Sequence, residues 1–180
     1  MITSLMVGMV GSLLASFLFL YFMRRHVPQV RIAEQIAICT NSDRHLYQIK
    51  VINMGKDPII NVKAQLLVAH QDLRPGGTTP TTKKLDLDKE ELFELQGYDP
   101  SDKEDGYCFR FTAKNTEAID AEWQGDDKYL IFQLIATHSI SHFSKVFKGG
   151  VNEKYYRSYS AKRGCFKTGP SVEIIERNIV

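Results

Sequence analysis

Between residues 145 and 167, Lys145, Lys148, Lys154, Arg157, Lys162, Arg163 and Lys167 interleave with Tyr155 and Tyr156. Lys and Arg neutralise phosphate, and a Tyr ring offers a face for stacking. Lys154, Tyr155, Tyr156, Arg157, Lys162 and Arg163 are therefore the candidate ligand-binding residues. Three targets share this chemistry: anionic lipid headgroups, a nucleotide, and single-stranded nucleic acid. A solvated basic face is the plainer reading of the same residues.

Other chemistry is weaker. His138 and His142 are four apart, which on a helix would place both on one face for Zn²⁺. They leave a strand-like run, however, and extended residues at that spacing lie about 13 Å apart. Ser139 and His138 could join a Ser-His-Asp set, but no Gly-x-Ser-x-Gly elbow accompanies them. Cys165 has Lys162 and Arg163 nearby, which could lower a thiol pKa; a buried strand cysteine is the commoner case. Gly76-Gly77 and Gly149-Gly150 are loop glycines, with no phosphate-cradling turn before a helix. The expectation is a non-enzymatic chain with no metal and no cofactor.

The elements that hold these residues read mainly as strands. His45 to Asn53 alternates, with Leu46, Gln48, Lys50 and Ile52 on one side and Tyr47, Ile49 and Val51 on the other. Asn53-Met54-Gly55-Lys56-Asp57-Pro58 is a turn, and Ile59 to Val68 resumes an apolar strand, so the pair reads as a hairpin. Arg74 to Pro80 reads as a loop. Tyr129 to Ile135 is apolar enough for burial on both faces. Seven to nine short strands, and no helical period beyond the N-terminal run, point to a β-sandwich.

Ile2 to Met23 carries no charged side chain, and Arg24, Arg25 and His26 follow at once. About 20 apolar residues suffice to span a bilayer core. The expected division is a transmembrane helix at 1–23, a basic juxtamembrane linker at 24–29 and a β-sandwich domain at 30–180. The positive-inside bias puts the N-terminus outside and the domain in the cytosol, at the inner membrane if the source is bacterial. Arg24, Arg25 and Arg31 are the candidate lipid-headgroup contacts. Ser4, Gly8, Gly11, Ser12, Ala15 and Ser16 form a small-residue face suited to helix–helix association, so membrane lipids and a homo-oligomer are expected partners.

The three cysteines, Cys39, Cys108 and Cys165, are far apart and odd in number. They suggest neither a disulfide framework nor a metal site, which suits a reducing compartment. The net charge of +2 excludes little. Charge is segregated, however: acids crowd Leu85 to Asp105 and bases crowd Ser141 to Gly169. Two opposite blocks could meet across a subunit interface.

The stretch Leu46-Tyr47-Gln48-Ile49-Lys50-Val51-Ile52-Asn53-Met54-Gly55, then Ile59 to Leu66, then Tyr129 to Thr137 and Gly164-Cys165-Phe166, resembles the cytoplasmic domain of inward-rectifier potassium channels. That resemblance implies an immunoglobulin-like sandwich, an oligomer, and phospholipid contact through Arg24, Arg25 and Arg31. The chain departs from the family in having one apolar run and no pore loop or Thr-Val-Gly-Tyr-Gly filter, so it cannot select potassium alone. Fold analogy does not transfer function. The expected role is a membrane-held sandwich that senses a phosphate-bearing ligand, a nucleotide or anionic lipid, or binds a protein partner. The alternative is a static adaptor, or an accessory subunit of a channel or transporter.

Overall fold

The computed structural model describes residues 2–41, 44–74, 77–123, 128–149, 151–153, 156–158 and 160–175. Side chains are not described at 2–5, 7, 41, 44, 71–74, 78, 80, 151–153 and 156–158. Helix α1 (Ile2–Arg25) leads into β1 (Val30–Ile32), β2 (Gln35–Asn41) and β3 (Arg44–Asn53). Then come β4 (Ile59–Arg74), β5 (Gly77–Leu85), β6 (Glu91–Leu95), β7 (Cys108–Thr112), α2 (Thr116–Glu122) and β8 (Lys128–His138). The chain continues through β9 (Ser144–Gly149), β10 (Val151–Glu153), β11 (Tyr156–Ser158), β12 (Ser160–Arg163), β13 (Cys165–Phe166) and β14 (Ile174–Ile175).

Two five-stranded sheets carry the fold. The first runs β1-β3-β2-β12, with β7 also on β3; the second runs β5-β4-β8-β9, with β6 also on β4. Every pairing in them is antiparallel except β12 with β2, which is parallel. Tyr47, Ile49, Val51 and Phe111 of the first sheet share one core with Val62, Leu66, Leu130, Phe132 and Leu134 of the second. Across the gap, the Phe111 and Phe132 rings sit 5.5 Å apart. The strict two-residue period of β3 places Tyr47, Ile49 and Val51 inward, because successive side chains of a strand point to opposite faces.

The opposite face of β3 is covered as well. Ala33 and Ala37 form a second small core with Phe166 and Ile174, against which Val172 packs. The C-terminal segment is thus a third layer over the first sheet. It is tied there by a Cys39–Cys165 disulfide joining positions 126 residues apart, which corrects the expectation of unpaired cysteines. Cys108 is the free thiol.

Three further expectations change. First, β3 and β4 belong to opposite sheets, so Asn53 to Pro58 is an arch and not a hairpin turn. Buried Asn53 enforces this: its amide donates to the carbonyls of Asp57 and Gln96, and its oxygen accepts from Gly55 N–H. Second, β5 begins at Gly77 and includes Pro80, on the outer strand of its sheet, where a missing N–H is tolerated. Third, α2 is a helix outside the N-terminal run, capped by the Asn115 side chain on Ala118 N–H. Its Ile119 is fully buried, so one core side chain and a cap suffice for two turns. Strand β8 is buried on one face only; Ile135 is 43% exposed.

The membrane expectation is corrected too. Among the described residues, no helix is long and apolar enough to cross a membrane. Residues 2–5 and 7, which lengthen the apolar run in the sequence, lie outside the described side chains. The remainder of α1 is diluted by Gly8, Gly11, Ser12 and Ser16 and ends in Arg24 and Arg25. The single-pass topology, the outward N-terminus and the cytosolic placement of the domain all rested on that span and fall with it.

Candidate functional site

A cleft of about 460 Å³ opens where the first sheet meets the C-terminal layer. Arg31 of β1, Glu34 and Gln35 at the start of β2, and Lys162 of β12 form one side of its lining; Val172, Glu173, Ile174 and Ile175 form the other. Register explains the convergence. Lys162 pairs with Ala37 and Ser160 with Gln35 in the parallel β12–β2 ladder, which brings the basic C-terminal region beside β1. Gln35 Nε2 donates to Ser160 Oγ at 3.4 Å across the same ladder.

The charged ends of Arg31, Glu34, Lys162 and Glu173 make no hydrogen bond or ion pair with other described residues. Two cations and two anions therefore line one open cleft without a partner among the described residues. In a second cleft of about 470 Å³, lined by His45, Lys114, Glu117 and Asp120, the Lys114 and Glu117 side chains also lack a partner among the described residues, but Asp120 and His45 are engaged. There Asp120 accepts the Tyr47 phenol at 2.5 Å, and the phenol is pushed up to about 12, by burial first and by Asp120 next. His45 Nδ1 is likewise engaged with Thr40 Oγ1.

The segment that leads into residues 172–175 is held by Lys50. This lysine is fully buried, and its ammonium donates to the carbonyls of Lys167, Gly169 and Ser171 at 2.7, 2.5 and 2.9 Å. Burial lowers its pKa, Arg110 adds to that effect, and Cys108 and Asp105 oppose it. Asp105 also accepts Gly169 N–H at 2.7 Å. Cys108, beside this cluster, is pushed up to about 11, chiefly by burial, so it stays a thiol at neutral pH.

The expected site residues are scattered. Arg31 and Lys162 meet in the cleft, although they came from different candidate groups. Arg163 is exposed on β12. Lys154 and Tyr155 lie outside the described residues; Tyr156 and Arg157 fall in β11, with side chains outside the description. Arg24 and Arg25 are exposed at the end of α1, and the Arg25 guanidinium lies 4.9 Å from the Tyr21 ring centroid. The Ser4 side chain is outside the description, whereas Gly8, Gly11, Ser12, Ala15 and Ser16 are exposed along α1. Apart from the adjoining residues and backbone of α1 itself, no atom of the described residues lies within 4 Å of where a Cβ would stand on Gly8 or Gly11. The Ser16 hydroxyl donates to the Ser12 carbonyl at 2.9 Å.

His138 and His142 serve a turn. His142 N–H donates to the His138 carbonyl at 3.0 Å, and no group of three metal-ligating side chains occurs among the described residues. His138 instead joins α1 to the sandwich. Its ring meets that of His26 edge-on at 5.6 Å, and Ser141 Oγ donates to the His26 carbonyl. Nε2 of His138 lies 3.4 Å from Asp57 Oδ2, while Nδ1 accepts from the amides of Ile140 and Ser141. Burial is the main reason its pKa is lowered, with the Asp57 charge opposing. Neither Lys50, the Cys39–Cys165 pair nor this junction was foreseen. The one local signal was a lysine set between Ile49 and Val51 in an otherwise regular strand.

No protein-family model matches this chain, and no curated protein matches it. Among solved structures, it is similar to Spo0M, a sporulation control protein from Bacillus subtilis, at 11% identity and a TM-score of 0.36. The match covers 68% of this chain and 47% of that one, so this chain spans about half the length of that protein. A likeness at this level carries no functional argument.

Proposed function

We propose that this chain is a binding module whose cleft takes a phosphate-bearing ligand of the nucleotide class. The observation that carries the reading is that Arg31 and Lys162, with Glu34 beside them and Glu173 opposite, line one cleft and have no partner among the described residues. A guanidinium presents a rigid fork matched to phosphate oxygens, and an ammonium adds a point charge beside it. The two glutamates and Gln35 can accept from amino or imino groups, while Val172, Ile174 and Ile175 offer aliphatic contact to a ring. An inorganic anion would leave both carboxylates unmatched; a nucleotide uses both signs.

Binding of adenosine and guanosine monophosphates and of inorganic phosphate to the full chain, measured by calorimetry, tests this. A hydrogen bond to a charged group contributes about 1.5–3 kcal/mol, so Arg31→Glu with Lys162→Glu should weaken nucleotide binding at least about 100-fold. Unchanged affinity in that variant sinks the proposal, as does the absence of heat from every nucleotide at about 1 mM.

Association of copies through α1 is a companion reading. Met9, Leu13, Phe17, Leu20 and other large apolar side chains of α1 are more than half exposed. Large apolar side chains exposed along a helix favour cover by a partner, and the open space above Gly8 and Gly11 lets a second backbone approach. Gly8→Leu should then lower the mass seen by light scattering; an unaltered mass refutes the role of that face.

A further inference from the structure

We infer that the Cys39–Cys165 bond is a redox clamp on the cleft: its reduction frees β12, withdraws Lys162, and weakens binding of the anionic ligand. This deepens the nucleotide reading and rests on it for the ligand, although the clamp itself has an independent measure.

Position singles out this bond. Strand β12 ends at Arg163, which pairs with Ile38; the next residue of β2 is Cys39, and Cys165 lies two beyond Arg163. The disulfide therefore closes the end of the β12–β2 ladder. Gly164 bridges the gap in a positive-φ conformation, its N–H donating to the Ile38 carbonyl. All four side chains of β12 are exposed, so no apolar burial holds this strand in place. Among the described residues its anchors are a four-residue parallel pairing, the Gln35–Ser160 contact, the Gly164–Ile38 hydrogen bond just beyond it and the disulfide.

The rest of the C-terminal layer has its own supports. Phe166 and Ile174 are buried against Ala33 and Ala37, and Lys50 grips the carbonyls of Lys167, Gly169 and Ser171. Neither disulfide cysteine belongs to the main core. Loss of the bond thus releases Lys162 and its strand from one cleft wall, and leaves Arg31, Glu34 and Gln35 of that wall, the other wall and the sandwich in place.

The chemistry balances with a dithiol as reductant. Cys165 is only partly buried, whereas Cys39 is 7% exposed, so an attacking thiolate reaches the Cys165 sulfur first. Attack forms a mixed disulfide at Cys165 and expels Cys39 as a thiolate, which takes up a proton. The second thiol of the reductant then displaces Cys165, also as a thiolate that protonates, and the reductant leaves as its own disulfide. Two electrons and two protons pass from the dithiol to the two cysteines.

The test uses the full chain, oxidised or treated with dithiothreitol, followed by hydrogen exchange with thiol labelling as the check on redox state. Cys108 is the single label in the oxidised protein, and Cys39 and Cys165 join it on reduction. Amides of β12 should exchange at least tenfold faster after reduction, while those of β4 and β8 stay protected. Cys39→Ser with Cys165→Ser should exchange like the reduced protein whether or not dithiothreitol is present. Adenosine monophosphate should bind the oxidised form at least tenfold more tightly than the reduced one. Unchanged exchange in β12 overturns the clamp, and so does loss of protection throughout β4 and β8, which would make the bond a support of the whole fold. Equal affinity in both redox states overturns its control of the ligand. Faster β12 exchange with no nucleotide bound in either state upholds the clamp and counts against the nucleotide reading alone.

Discussion

Replacing Lys50 by Met removes an ammonium whose three donors all end on main-chain carbonyls of one segment. Each hydrogen bond from a charged donor contributes about 1.5–3 kcal/mol, so the set is worth about 4.5–9 kcal/mol before its costs. Against it stands the desolvation of a fully buried charge, which is several kcal/mol even after relaxation. Met fills the same path through the structure without that penalty, but it leaves the carbonyls of Lys167, Gly169 and Ser171 unpaired. They can regain water only if the segment lifts from the first sheet, and lifting exposes Phe166 and Ile174. The balance favours the native lysine by about 2–4 kcal/mol. With a urea m-value of about 2 kcal/mol/M, the midpoint of Lys50→Met should fall by about 1–2 M. Exchange of amides in 166–174 should rise together with that shift. Lys50→Met as stable as the parent, or more so, would show that desolvation outweighs the three bonds and that the third layer is held by its apolar contacts and the disulfide.

Two other outcomes follow from the junction and the arch. His138 has its pKa lowered from 6.5, chiefly by burial, so the unfolded chain takes up a proton at a higher pH than the folded one. Its contribution to stability is complete above about pH 6.5 and falls as pH drops below that value. The Tm should therefore decline from about pH 7.5 to about pH 5, and His138→Asn should flatten that slope; equal slopes in the two proteins refute the assignment. Gly97 packs against the Asn53–Pro58 arch so closely that a Cβ would stand 1.9 Å from the Lys56 carbonyl oxygen. Gly97→Ala must move one backbone segment and should cost about 1–3 kcal/mol in urea unfolding, whereas a neutral result would mean that the arch yields freely.

Local pattern revealed what is local. The alternation of β3 divides its residues between two faces, because side-chain direction depends only on strand geometry, and the structure turns the Tyr47, Ile49 and Val51 face into the main core. It could not say that Asn53 turns the chain from one sheet to the other, since that depends on acceptors at Asp57 and Gln96. A Gly/Pro turn between two apolar runs is compatible with either a hairpin or an arch. Helix α2 was missed for a related reason: seven residues with one buried side chain give too little periodicity to read.

The candidate site was legible in its parts and not in its assembly. Arg31 and Lys162 were each singled out as phosphate-seeking, but their meeting depends on a parallel ladder between segments far apart in sequence. Cys39 with Cys165 and Lys50 with 167–171 are long-range in the same sense, and spacing along the chain carries no trace of them. The segregated charge shows how far composition can mislead. The acidic stretch pictured as a face for a second subunit is largely spent within the fold. Glu90 and Glu91 pair with Lys84 and Lys63, Asp99 and Asp102 accept from loop amides, and Asp105 accepts from Gly169. The charges that line the cleft are among those with no partner among the described residues. Uncommitted charge is the better guide to binding, because an engaged group must first give up a partner before it can take a ligand.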